Sequence, residues 1–298
     1  MVEDAKVREL VSRVRRLRME ALRPVQTRLA GAYASTFRGP GIEFSDFQPY
    51  EPGRDARHID WQVTARRGTP YVRRYVEERR LQLVLLFDVS RSMDCVVRAR
   101  NAPGGQSARE RAALIAAALG LCAVRNGDSV GAILFADGPA GVIPPRGGEP
   151  HALHVLGRIL GTRPAAGTTD LRRPLQRLLN LRGHALVVLL SDFLLSPPLW
   201  SAQVRRALAT CARQHTVAAV HLTMADDALP GGVVLEGCEA ETQESPRIDL
   251  HATDRINRHC RQHRRSVHRG LMRAGVRDVA VSPADDPLWS VAELLHQR

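Results

Sequence analysis

"LQLVLLFDVSRSMD", residues 81–94, decides the fold. Leu83 to Phe87 form an unbroken apolar run, and Asp88, Ser90 and Ser92 follow at alternate positions. A short apolar run bounded by polar residues predicts a strand buried on both faces, as in a parallel sheet. In such sheets ligands gather beyond the carboxyl ends of the strands, where the strand order reverses. Three small oxygen-bearing side chains at that end predict a ligand-binding loop.

Strand and helix patterns alternate outward from this stretch. "SARERAALIAAALGLCAVR" (107–125) reads as a helix, "SVGAILFA" (129–136) as a strand and "AGVIPP" (140–145) as its hairpin partner. "HALHVLGRIL" and "LRRPLQRLLN" have helical spacing, and "HALVVLLSDF" (184–193) is a second continuous apolar strand. Helix "LWSAQVRRALATCARQ", strand "TVAAVHLT" (216–223), a short β segment "GVVLEGCEA", a basic helix 252–273, strand "VRDVAVS" and helix "PLWSVAELLHQ" complete the chain. The expected class is α/β: a doubly wound, mostly parallel sheet with helices on both faces. Before it, residues 3–22 carry one apolar helical stripe, 36–79 read as irregular and dense in turns, and "YVRRYVEE" reads as a strand. The expected organisation is a helix and accessory segment over 1–79, packed on a sheet domain over 80–298 with a small β insertion near 224–250.

Bulk properties narrow the function classes. With 298 residues and 44% hydrophobic content the chain can bury a substantial core. No apolar run is long enough to span a membrane, and "MVEDAKVREL" lacks an apolar signal core, so a cytoplasmic location is expected. The five cysteines form no C-x-x-C pair, which suits free, mostly buried thiols in a reducing compartment. The net charge of +12 comes almost wholly from arginine, Lys6 being the only lysine, and the basic residues are spread along the chain. An aromatic content of 4% argues against a platform for stacking single-stranded bases.

Two further oxygen-bearing loops accompany the first. Asp192 follows the apolar run "HALVVLLS", and "AGTTDL" places Thr168, Thr169 and Asp170 just before a helix. If the two apolar strands are sheet neighbours, these loops converge. Carboxylates and hydroxyls without sulfur or imidazole suit a hard divalent cation, Mg²⁺ or Mn²⁺, rather than zinc. Neutral hydroxyls beside one or two carboxylates leave positive charge on the ion, which can then accept a carboxylate from a partner.

"DVSRS", "GTTDL" and "LLSDF" together resemble the metal-ion-dependent adhesion site of von Willebrand factor A domains. That resemblance implies metal ligation by Asp88, Ser90, Ser92, Thr169 and Asp192, with Thr168 the rival for the threonine position. The stretch "FRGPGIEFSDFQPYEPGRDARHIDWQVTARRGTPYVRRYVEE" (37–78) resembles the signature of the domain of unknown function 58 family. Arg54 departs from it, standing where the family usually has the first of two acids; Asp55 remains. The resemblance implies a non-enzymatic adaptor that works with a MoxR-type AAA+ ATPase and a client presenting an acidic residue. Neither a small-molecule substrate nor nucleic acid is the expected partner. Glu43, Asp55, Arg57 and Asp60 are expected to form ion pairs fastening their segment to the sheet domain, and Trp61 to anchor it in a core.

Other motifs read as structural. "GDSVG" (127–131) spells a nucleophile elbow, but a helix precedes it and a strand follows, the reverse of what an elbow needs. "HCRQH" (259–263) lacks the glutamate of a zinc protease helix and reads as a solvated face. "APGGQSARER" has no G-K-[ST] and reads as a mobile surface loop before a helix. Two other functions stay open: nucleic-acid binding through the basic surface, and metal-dependent hydrolysis, which needs a general base near the cation.

Overall fold

The computed structural model describes residues 28–33, 44–50, 59–75, 81–94, 106–136, 141–163, 169–194, 200–223 and 253–296. The chain divides into two compact units, one of residues 38–80 and one of residues 1–37 with 81–298. The expected 1–79 segment thus contributes to both. The expected helix over 3–22, the β insertion near 224–250 and the loop before residue 106 lie outside the described residues.

In the smaller unit, β1 (Phe44–Pro49) pairs antiparallel with β2 (Tyr71–Tyr75). Between them runs α1 (Trp61–Arg67). Asp60 caps this helix, its carboxylate accepting from the N–H groups of Gln62 at 3.0 Å and Val63 at 3.2 Å. Gly68 ends it in the left-handed region at φ 72°. Two expectations need correction here. The segment holds regular structure rather than turns alone, because Asp60 and Gly68 supply the start and stop of a short helix. Trp61 is no core anchor: at 71% exposure it opens a helix none of whose residues is buried.

In the larger unit six strands form one sheet: β3 (Gln82–Asp88), β4 (Ser129–Phe135), β5 (Gly141–Gly147), β6 (Ala185–Ser191), β7 (Thr216–Leu222) and β8 (Arg277–Val281). Its order is β5-β4-β3-β6-β7-β8, the doubly wound 3-2-1-4-5-6 arrangement with only β5 antiparallel. β3 is therefore central, and strand order reverses between β3 and β6. Leu83–Phe87 of β3 and Ala185–Leu190 of β6 are apolar without a break because both faces of these strands are covered.

Successive strand residues point to opposite faces and so feed two cores. Leu83, Leu85 and Phe87 join the first core, which is covered by α2 (Ala108–Arg125), α3 (Glu149–Gly161), α7 (Pro287–His296) and the helical stretch 28–33. Val84 and Leu86 join the second, covered by α4 (Arg172–Leu179), α5 (Ala202–Gln214) and α6 (Thr253–Arg273). α2 begins with a capping box, Ser107 and Glu110 each accepting from the other's backbone N–H at 3.1 Å. In its first turn Arg111 turns inward, donating to the carbonyls of Val281 at 2.7 Å and Thr223 at 2.6 Å. One buried guanidinium thus satisfies carbonyls at the ends of β7 and β8.

The "GDSVG" stretch is a turn entering β4, as its context requires. Gly127 sits at φ 76°, and the buried Asp128 accepts from Tyr33 at 3.1 Å and from the Leu81 N–H at 3.2 Å. Gly131 faces the irregular part of β5, where a Cβ would meet the Ile143 carbonyl at 2.7 Å and the Pro145 nitrogen at 2.8 Å. The thiols divide by environment: Cys211 is buried, Cys122 half-buried and Cys260 exposed.

Candidate functional site at the carboxyl rim of the sheet

β3 and β6 run parallel in register, Phe87 beside Leu190, so both deliver their ends to one rim at the point where strand order reverses. Asp88 is fully buried there. Its Oδ1 accepts from the Ser90 N–H at 2.9 Å, a local turn that bends the chain away from the strand. Its Oδ2 accepts from the Ser191 hydroxyl on the adjacent strand at 2.6 Å. Ser90 and Ser92 lie on one side of the ensuing turn, their hydroxyls 3.0 Å apart.

Asp192 is 3% exposed. Its Oδ1 accepts from the Leu194 N–H at 3.0 Å, whereas its Oδ2 is buried with no hydrogen-bond partner. Burial pushes the Asp88 carboxyl up to about 7, and the charge of Asp192 adds to the rise. Asp192 is itself raised, chiefly by burial, against the pull of the Ser92 hydroxyl and the Leu194 N–H. Two carboxylates that disfavour each other's ionisation, one with an unsatisfied oxygen, make a place where a cation would be stabilised.

Of the residues around this pair, Ser191, Phe193 and His221 carry no signal of their own in the sequence. Phe193, fully buried, adopts φ 57°, a left-handed conformation that is an outlier for an aromatic residue. Its N–H is held by the Ser191 hydroxyl at 2.9 Å, so Ser191 braces both Asp88 and the strained turn that carries Asp192. Behind Phe193, His221 and His263 continue an edge-to-face stack, with ring centroids 5.4 and 5.5 Å apart. Burial drops the His221 imidazole to about 3, leaving it neutral beside the acids, and burial also lowers His263. The "HCRQH" stretch is thus only partly solvated. His259 and Cys260 face outward, while His263 is half-buried with an unsatisfied Nε2.

Of the five expected ligands, Asp88, Ser90, Ser92 and Asp192 are joined by the hydrogen bonds and electrostatic coupling above. Thr169 is buried, and its neighbour Asp170 donates its N–H to the Ala136 carbonyl at 3.4 Å, tying this loop to the end of β4. Among the described residues no hydrogen bond links Thr169 to the other four. Thr168 lies outside the described residues. No three His, Cys, Asp or Glu side chains gather into a metal cluster among the described residues. The rim's donor set is two carboxylates and hydroxyls, matched to a hard cation.

Comparison with known proteins places the chain. The family model described as "Protein of unknown function DUF58" matches residues 46–269. The uncharacterized proteins Rv1480 of Mycobacterium tuberculosis and Mb1516 of Mycobacterium bovis are each 29% identical over 311 residues, covering 100% of this chain and 91% of the relative. Among solved structures, von Willebrand factor type A from Catenulispora acidiphila is 14% identical, covers 73% of this chain and 42% of its own, and has a TM-score of 0.38. The SpRpn10 VWA domain is 10% identical, covers 73% and 95%, and also scores 0.38. BatB from Bacteroides thetaiotaomicron is 13% identical, covers 72% and 97%, and scores 0.37. No helix among the described residues is long and apolar enough to cross a membrane. The chain belongs to the DUF58 family.

Proposed function

We propose that this DUF58 protein is a metal-dependent interaction adaptor rather than an enzyme. Asp88, Ser90, Ser92, Thr169 and Asp192 would hold Mg²⁺ or Mn²⁺, and a carboxylate from a partner protein would complete the ion's coordination. The observation that carries this reading is the buried, unsatisfied Asp192 Oδ2 beside the raised carboxyl of Asp88, at the reversal of strand order. Leu194, 45% exposed two positions beyond Asp192, offers an apolar contact to whatever docks there. The bound ion would supply charge for docking. The chain's own part is to fix its oxygen donors: Ser191 orients Asp88, and the strained Phe193 turn aims Asp192.

The sequence resemblance supports a MoxR-type AAA+ ATPase as working partner, in protein remodelling or complex maturation in the cytoplasm, and a client that presents the acidic residue. Titration with Mn²⁺ followed by electron paramagnetic resonance tests the site: wild type is expected to bind one ion and Asp88→Ala none. Affinity capture with and without EDTA tests the docking role, since partners held through the cation should be lost on chelation and in Asp88→Ala. Unchanged Mn²⁺ binding in that variant overturns the site, and capture indifferent to EDTA overturns the docking role.

A further inference from the structure

Arginine is spread along the sequence but not around the fold. α4, α5 and α6, which cover one face of the sheet, hold 13 arginines and a single acid, Asp254, in 42 residues. α2, α3 and α7, which cover the other, hold 4 arginines and 3 glutamates in 41. Two of those 4, Arg109 and Arg111, are buried. A chain-wide compositional bias would load both faces alike. The difference between them equals most of the protein's net charge of +12.

On the loaded face Arg173, Arg177, Arg205, Arg206, Arg265 and Arg269 are all exposed. Among the described residues two acids beside this face are already engaged, Asp170 with Arg172 at 3.0 Å and Asp278 with His268 at 2.9 Å. The chemistry of the rest of the face selects among polyanions. A membrane-seated basic helix inserts its apolar residues into lipid. Val267 and Leu271 of α6 are instead buried in the sheet's core. A protein interface needs an apolar or aromatic centre, yet the exposed large hydrophobic side chain on these three helices is Met272 alone among the described residues. With no exposed Phe, Tyr or Trp on it among the described residues, the face offers no extended platform for stacking unpaired bases. What remains is an array of guanidinium forks carried on three helices, which suit phosphate oxygens in pairs. α6, at 21 residues, extends about 31 Å, close to one turn of a duplex.

We infer that the α4–α5–α6 face binds the phosphate backbone of double-stranded nucleic acid without reading its sequence, independently of the metal site. Fluorescence anisotropy of the full chain with labelled 25-base-pair duplexes of unrelated sequence, one set DNA and one RNA, tests this. Contact with about six phosphates predicts affinity falling roughly 10³-fold between 50 and 200 mM salt. The triple variant Arg258→Gln, Arg265→Gln, Arg269→Gln should lower the slope of log affinity against log salt by about 2.7. The opposite-face pair Arg125→Gln, Arg158→Gln should leave the slope unchanged, and so should EDTA or Asp88→Ala. Circular dichroism confirms that each variant is folded. Binding of either duplex with this pattern supports the proposal, and the DNA and RNA arms say which helical form is preferred. It is overturned by no duplex binding at 50 mM salt, by a slope the triple variant leaves intact, or by binding only to vesicles containing 30% phosphatidylglycerol.

Discussion

Replacing Asp88 by asparagine should make the metal-free protein more stable at alkaline pH, the reverse of the usual effect of a buried substitution. The Asp88 carboxyl keeps its proton up to about 7 in the fold, against 3.8 for a free side chain. The native state therefore binds more protons than the unfolded chain between those values, and stability falls as pH rises through that window. From pH 5 to pH 7 the gap spans two units at 1.36 kcal/mol each, so the wild type loses about 2–3 kcal/mol that the variant keeps. Asparagine preserves the local geometry: its Oδ1 can accept from the Ser90 N–H, and its amide can donate to the Ser191 oxygen. Urea unfolding in EDTA at pH 5 and pH 8, on both proteins, measures the difference directly. Repeating it with 5 mM MgCl₂ should restore the wild type at pH 8 and leave Asp88→Asn unmoved, because a ligand bound only by the native state stabilises it. Equal pH dependence in the two proteins, or equal stabilisation by Mg²⁺, would refute the reasoning.

Other expectations follow from single contacts. Arg111→Met should cost about 2–4 kcal/mol in urea unfolding, since the buried Val281 carbonyl and the part-buried Thr223 carbonyl lose a charged donor. Gly131→Ala should cost about 1–3 kcal/mol, because the added methyl meets β5 backbone rather than a side chain that can swing aside. Gly270 lies under the ring of Trp200, so Gly270→Ala should displace that indole and shift tryptophan emission to longer wavelength. Ser191→Ala removes a hydrogen bond that lowers the Asp88 carboxyl, so the pH-dependent loss of stability should extend further upward in the same urea assay.

The sheet was legible because burial on both faces leaves runs such as Leu83–Phe87 and Ala185–Leu190 with almost no other reading. The alternation of oxygen-bearing residues after β3 was legible for the same reason: a strand that stays apolar to its end makes the change in chemistry abrupt. The brace around the site was not. Ser191 reads as one more small residue in an apolar run, and only the parallel pairing of β3 with β6 brings its hydroxyl to Asp88, 103 positions away. Phe193 reads as the strand's continuation, although its left-handed backbone ends the strand and turns Asp192 toward the rim. His263 seemed solvated because helical spacing cannot say which histidine of a basic helix meets a buried partner. Trp61 misled for the opposite reason, since size predicts burial only where a core lies within reach.

β5 closes one edge of the sheet with Pro144 and Pro145, opposite Gly131. Neither residue carries an N–H, and the strand is irregularly registered against β4 at this point. An incoming strand would find its hydrogen-bonding ladder interrupted where it would need continuous donors. That border of the molecule resists end-to-end growth of sheets from copy to copy, so a high local concentration of this protein need not lead to filaments, and recruitment is left to surfaces made of side chains.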